Sequence, residues 1–246
     1  MSMQPKYSII IPAYKEAKYI GKTLTHLTKY LQKEKLKQET EIIVVAADGG
    51  DDTADIARSH AKNFASLDVY EPGDRVGKGR DVTLGFKHAI GDYQLFMDAD
   101  MATPLKHIKP AFQELEQGAD VVIGIRDLSK MHDTLKRKIS SNMSNLSITM
   151  LAVAGISDTQ CGFKGFTKQA AKTIFDRTVI TNWGIDIEIL AIADQHDMKI
   201  AEIALPDWKD PKGDDGLSGD SQLSAMLSTL KELFKIRKNK RAGVYK

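Results

Sequence analysis

Residues 7–47, YSIIIPAYKEAKYIGKTLTHLTKYLQKEKLKQETEIIVVAA, decide the fold class. Tyr7–Pro12 and Glu41–Ala47 are short β-branched runs whose apolar character is continuous rather than alternating, as in strands covered on both faces. Between them Ile20, Leu24, Leu27 and Leu31 recur at steps of four, three and four, one apolar stripe along a helix over 17–32. Two buried strands joined by an amphipathic helix form a β-α-β unit, which implies parallel strands and a right-handed crossover. The rhythm continues with a predicted helix over 53–64, a strand over 68–71, a helix over 79–89 and a strand over 93–97 (YQLFM). A helix over 104–117, with Pro104 in its first turn, and a strand over 121–124 follow. The expected architecture is α/β: one domain with a mostly parallel central sheet flanked by helices.

After Arg126 the pattern loosens into a basic helical stretch over 134–154, a β-like segment over 159–167, helices over 168–175 and 184–195, and a strand over 199–205. Residues 207–220 (DWKDPKGDDGLSGD) are rich in Gly and Asp and read as a mobile loop. A helix over 221–236 then leads into a basic tail. Residues 1–220 are thus expected to form the main domain and 221–246 a C-terminal amphipathic helix with its tail.

The chain has 246 residues, 42% of them apolar and 28% charged, which excludes disorder. A net charge of +2 supplies no field for nucleic acid. The basic residues are concentrated at one end, with seven of them against one acid from Lys231 to Lys246. Leu223, Leu227, Leu230, Leu233, Phe234 and Ile236, followed by Arg237, Lys238, Lys240 and Arg241, suit peripheral contact with anionic lipid headgroups on the inner face of a membrane. The same stripe equally suits a terminal helix packed on the core. Met143, Leu146, Met150, Leu151 and Val153 form another stripe, fit for the core or a homodimer surface. The single cysteine, Cys161, forms no internal disulfide, and the N-terminus carries no signal or transit pattern, so a cytoplasmic location is expected. The longest nearly apolar run, 146–156, is about half of the ~20 residues that a membrane span needs.

In an open α/β sheet, ligands bind beyond the carboxyl ends of the strands. Four such places are chemically loaded here: Pro12-Ala13-Tyr14-Lys15-Glu16, Asp48-Gly49-Gly50-Asp51-Asp52, the Gly77-Lys78-Gly79 turn, and Asp98-Ala99-Asp100 after YQLFM. Two carboxylates ending a buried strand gather charge where repulsion and desolvation both oppose it, and a cation resolves the conflict. Hard ions such as Mg²⁺ or Mn²⁺ take few carboxylates together with phosphate oxygens, so Asp98 and Asp100 suit a metal holding a diphosphate. Asp100 is also placed to cap the next helix. Lys78, between two glycines at a helix start, resembles a phosphate cradle, although neither a Walker A loop nor a dinucleotide fingerprint is present. Trp183 and Trp208 are candidates for stacking on a sugar ring or for simple packing. Asp186 and Glu188, two apart on a helix, point about 200° apart, so only one can face a cleft.

The ordered segments IIIPAYKEAKYI, EIIVVAADGGDDT, VGKGRD, LFMDADMAT, VVIGIRD, DTQCGFKGFT and NWGIDIEIL resemble a family 2 glycosyltransferase of the GT-A (Rossmann-like) fold. Within that family they are most similar to the dolichyl-phosphate glucosyltransferase and mannosyltransferase branch, over about Tyr7 to Pro206. The resemblance implies that Pro12, Ala13, Tyr14 and Glu16 line the nucleoside pocket of a nucleotide-diphospho-sugar, with Asp48 facing the base and Gly77 and Lys78 near the diphosphate. It implies that Asp98 and Asp100, with Ala99 between them, hold the metal. Arg126 and Arg137 would then meet the phosphate of a polyprenyl acceptor, and Gln160 and Asp186 would border the sugar and acceptor. The implied reaction inverts the anomeric centre. A lipid-phosphate acceptor needs no general base, whereas a sugar-hydroxyl acceptor would need one, for which Asp186 is the candidate. The segment Ala46-Ala47-Asp48 departs from the family's usual acidic pair. A rival reading is a haloacid-dehalogenase-like phosphatase, which also ends a strand with D-x-D, but Thr103 falls five residues after Asp98 instead of four.

Overall fold

The computed structural model describes residues 4–127, 156, 158–209 and 219–246, with only the backbone described for 219–230. Seven strands and seven α-helices alternate in those residues: β1 (Tyr7–Ala13), α1 (Ala17–Lys33), β2 (Thr40–Ala46), α2 (Thr53–Ser59), β3 (Ser66–Tyr70), α3 (Lys78–His88), β4 (Tyr93–Met97), α4 (Ile108–Glu116), β5 (Val121–Arg126), β6 (Phe163–Thr167), α5 (Lys168–Phe175), α6 (Ile185–Gln195), β7 (Ile200–Leu205) and α7 (Gly219–Ala242). They build one sheet in the order β3-β2-β1-β4-β6-β5-β7. Every pairing is parallel except those of β6, which runs antiparallel to both β4 and β5.

The continuous apolar strands are covered on both faces, with residues alternating between two cores. Ile10, Ile43 and Val45 pack with α3, α5 and α6, whereas Ile9, Ile11, Ile42 and Val44 pack with the α1 stripe of Ile20, Leu24, Leu27 and Leu31 and with Phe112 of α4. All nine residues from Ile185 to Ala193 of α6 are buried, so this helix is enclosed between α5 and α7 instead of lying on the surface.

Several boundaries differ from the sequence reading for local reasons. The predicted helix over 53–64 stops at Ser59 and continues as a 3₁₀ turn at 61–63. Pro104 is extended and precedes a 3₁₀ turn at 105–107, so α4 starts only at Ile108. The β-like segment over 159–167 narrows to β6, because Asp158 turns back to pair with Arg126. The final helix begins at Gly219 and runs to Ala242, so Arg237, Lys238, Lys240 and Arg241, expected in a tail, are helical. Leu233 and Ile236 are buried and Phe234 is exposed; the packed-helix reading holds for this part of α7. The predicted helix over 134–154, with Arg137 and the Met143–Val153 stripe, and residues 210–218 of the predicted loop lie outside the described residues. Among the described residues no helix is long and apolar enough to cross a membrane.

Candidate active site

β1 and β4 are parallel neighbours, with Ile9 level with Leu95 and Ile10 level with Phe96, so the chain leaves both strands at one edge of the sheet. A cavity of about 260 Å³ opens there. Its walls are Pro12, Ala13, Tyr14 and Glu16 after β1, Asp98, Ala99 and Asp100 after β4, and Gly77 and Lys78 at the start of α3. With Trp183, which completes the same wall, ten of the residues singled out in the sequence therefore meet in one place. Lys15 and Met101, beside these segments, hold left-handed φ values of 56° and 57°, turns that cost backbone energy and redirect the chain around the cavity. Asp100 Oδ1 accepts the Ala102 N–H at 3.0 Å in a local turn; the next helical elements are capped at Pro104 and His107, so Asp100 caps neither, and it lines the cavity.

Three further wall residues are Arg75, Asp81 and Trp183. Arg75 lies over the Tyr14 ring, 4.4 Å from its centroid, and brings a second cation to the mouth. Asp81 is buried and paired with Arg80 at 2.8 Å; burial raises its carboxyl above the ordinary range. Neither Arg75 nor Asp81 was anticipated, and only their nearness to the Gly77-Lys78 turn could have signalled them. Trp183 is 60% exposed and stands with its ring 5.4 Å from Lys78 Nζ.

Behind the wall lies a row of four charges of alternating sign. Lys78 Nζ is 3.1 Å from Asp98 Oδ1 and 3.6 Å from Asp186 Oδ2. Asp186 Oδ1 is 2.5 Å from Lys164 Nζ, which also donates to the Cys161 carbonyl at 2.6 Å. Burial works against both central charges, yet Lys164 and Lys78 hold the Asp186 carboxyl below the usual carboxylate range. Asp186 and Asp98 likewise hold the Lys78 ammonium above its usual range despite burial. Lys164 is fully buried in β6. A lysine in the otherwise apolar run FKGFT was the sequence signal for it, and it was missed. On the other side of Asp98, a Cβ at Gly162 would stand 1.8 Å from Oδ2, so the backbone of 162 is pressed against this carboxylate.

The donor set suits a divalent cation. Asp98 and Asp100 supply hard oxygens on one wall of an open cavity, the side chain of Asp98 is 39% exposed, and room remains for phosphate oxygens and water as further ligands.

Comparison with known proteins settles the family. Residues 8–175 match glycosyl transferase family 2. The chain belongs to that family. This glycosyltransferase is 32% identical over 241 residues to a dolichyl-phosphate beta-glucosyltransferase of Trichomonas vaginalis, covering 93% of the chain and 72% of the relative. It is 31% identical to the dolichyl-phosphate beta-glucosyltransferase of Dictyostelium discoideum, covering 97% and 76%. Its fold is that of glucosyl-3-phosphoglycerate synthase from Mycobacterium tuberculosis in complex with Mn²⁺, uridine-diphosphate-glucose and phosphoglyceric acid, with a TM-score of 0.73, 16% identity and coverage of 95% and 80%. Mannosyl-3-phosphoglycerate synthase from Rubrobacter xylanophilus superposes with a TM-score of 0.72, at 17% identity, covering 98% and 76%. The phosphatase alternative falls with these matches.

In this glycosyltransferase four anticipated residues stand off the cavity wall. Asp48 closes a bridge with Asp74, and its Oδ1 accepts the Gly50 N–H at 2.9 Å, which makes a turn at the end of β2. Arg126 is clasped by Asp158 through Nε at 2.6 Å and Nη2 at 2.9 Å. The Gln160 N–H donates to Asp158 as well, at 3.2 Å. Asp186 lies behind Lys78, and with each oxygen facing an ammonium it suits positioning of Lys78 better than the base role considered for a hydroxyl acceptor. Glu188 points the other way, as the helical spacing required, and accepts from the Val179 and Ile180 N–H groups and the Tyr245 hydroxyl.

Proposed function

We propose that this enzyme transfers glucose, with inversion, from UDP-glucose to a polyprenyl phosphate of the dolichyl type. The observation that carries the reading is the strand-end pair Asp98 and Asp100 sharing a cavity wall with Lys78, while Asp186, the buried carboxylate behind Lys78, is engaged by two ammonium groups. The names of the relatives supply the acceptor and the sugar, and the Mn²⁺ and UDP bound by structural neighbours support the donor and a divalent ion. Asp98 and Asp100 would hold that Mg²⁺ or Mn²⁺, which supplies positive charge against the leaving diphosphate. Lys78 adds an ammonium to the same wall, and stabilising charge on a leaving group is commonly the largest catalytic contribution. Trp183 offers an aromatic face to the sugar. A phosphate acceptor is already anionic, so it needs orientation instead of deprotonation; Arg126, and Arg137 by resemblance, are proposed for that role.

The test is transfer from UDP-glucose to a short-chain polyprenyl phosphate with Mn²⁺. Asp98→Asn and Asp100→Asn should each lower kcat by about 10²-fold or more. Arg126→Lys should raise KM for the lipid phosphate while leaving KM for the donor unchanged. Metal-dependent transfer at the wild-type rate in both aspartate variants would overturn the site. Transfer to a sugar hydroxyl in preference to the lipid phosphate would overturn the acceptor. Peripheral membrane contact through the basic surface of α7 belongs to the same proposal, and it predicts salt-sensitive sedimentation with vesicles containing anionic lipid.

A further inference from the structure

Trp183 belongs to the irregular stretch 176–184 between α5 and α6, and side chains from α6, α7 and the turn after α7 hold that stretch in place. Glu188 accepts the Ile180 N–H at 2.8 Å and the Val179 N–H at 3.1 Å. The hydroxyl of the fully buried Tyr245 donates to Glu188 Oε1 at 2.8 Å. Glu232 of α7 accepts the N–H of Gly184, the residue after Trp183, at 2.8 Å. A Cβ at 184 would lie 2.5 Å from Glu232 Oε2, so a larger residue there would have to push this carboxylate aside.

The opposite side of the stretch is packed against the Lys78 turn. The Arg80 N–H donates to the Thr181 carbonyl at 3.1 Å. A Cβ at Gly79 would stand 2.5 Å from the Ile180 carbonyl, and one at Gly77 would stand 2.4 Å from the Thr181 carbonyl. The two backbones are therefore in direct contact, and a displacement of 179–184 is passed to Gly77 and Lys78. Trp183, Glu188, Glu232 and Tyr245 all lie beyond the residues matched to the family.

We infer that Glu232 and Tyr245 are positioning residues for the donor pocket: through Gly184 and Glu188 they hold the Trp183 wall against the Lys78 turn, so that α7 and the turn after it set the geometry of a site they do not touch. The inference rests on the donor-site reading given above.

The test uses the full chain carrying Trp208→Phe, which leaves Trp183 as the only tryptophan of the two. Acrylamide quenching of Trp183 and its response to UDP with Mn²⁺ are measured in Glu232→Ala, Glu232→Gln and Tyr245→Phe. Glu232→Ala and Tyr245→Phe should each make Trp183 more quenchable and weaken UDP binding by about three- to tenfold, the worth of one hydrogen bond. Glu232→Gln, whose carbonyl can still accept from Gly184, should stay near the parent. KM for UDP-glucose should rise while KM for the lipid phosphate holds. Parental quenching and parental UDP affinity in Glu232→Ala would overturn the inference, and that variant decides alone if Tyr245→Phe fails to fold, because Glu232 is only partly buried. Failure of the Trp208→Phe parent to bind UDP with Mn²⁺, with wild-type protein failing as well, would count against the donor site and leave the quenching comparison to judge the positioning role.

Discussion

Lys164→Met isolates the buried charge row behind the cavity. Methionine matches the length of the lysine stem, so the substitution removes an ammonium without opening a large void. Lys164 is fully buried, with its Nζ 2.5 Å from Asp186 Oδ1 and 2.6 Å from the Cys161 carbonyl. Removing one member of a buried ion pair costs about 3–5 kcal/mol, because the remaining charge is left desolvated. Asp186 would keep Lys78 at 3.6 Å, which places the expected loss at the lower end, about 3 kcal/mol. For a domain of this size that lowers Tm by roughly 6–12 °C. Lys164→Met combined with Asp186→Asn takes away the stranded charge, and should recover most of the loss, leaving about 1 kcal/mol for an amide with an incomplete set of partners. Urea unfolding of the two single variants and the double variant closes the cycle. A loss below about 1 kcal/mol in Lys164→Met, or a double variant no more stable than that single one, would refute the claim that these charges support one another. Freed of Lys164, Asp186 should also draw Lys78 away from Asp98, so KM for the donor should rise in the folded protein.

Gly162→Ala places a methyl group where Asp98 Oδ2 now sits, at 1.8 Å, with no left-handed φ to forbid alanine. The carboxylate must swing aside, so Mn²⁺ binding followed by electron paramagnetic resonance should weaken by about tenfold or more while Tm shifts little; unchanged Mn²⁺ affinity would disprove the role given to Asp98. Asp207 is 34% exposed, and although burial opposes it, Lys106 and His107 pull its carboxyl down to about 2. A depressed carboxyl stabilises the fold above its unfolded value of about 3.9 and loses that contribution as pH falls towards 2. Wild type should thus exceed Asp207→Asn by no more than about 1 kcal/mol at pH 5, and the difference should vanish near pH 2, as read by urea titrations at each pH. Lys35, with φ 61°, is the left-handed residue ending α1, and the Leu36 N–H bonds to the Leu31 carbonyl at 2.9 Å in a Schellman motif. Lys35→Gly should stabilise by up to about 1 kcal/mol, and a measured loss would show that Lys35 contributes contacts beyond its backbone.

What the sequence made legible follows from which interactions are local. Ile9, Ile10 and Ile11 declare a doubly covered strand because every residue of the run is apolar, and the structure divides them between two cores. Pro12 to Glu16 and Asp98 to Asp100 could be joined in advance because parallel strands release their carboxyl ends on one side, a rule of topology that needs no distances. Lys164 could not be placed in that way. Its meaning depends on the antiparallel strand β6 lying beside β4 and bringing an ammonium behind Asp186, and the residues between β5 and β6 carry no periodic signal for that pairing. Asp48 is ambiguous in another way: the acidic, glycine-rich run after β2 looks like a ligand loop, and in the structure Asp48 also makes a turn, with one oxygen on the Gly50 N–H and a backbone bridge to Asp74. Turn chemistry and ligand chemistry draw on the same residue types, so a cluster of Asp and Gly identifies neither by itself. Asp98 escapes that ambiguity through its neighbours: Lys78 on one side and the bare backbone of Gly162 on the other leave its carboxylate an orientation fixed by the fold rather than by its own turn.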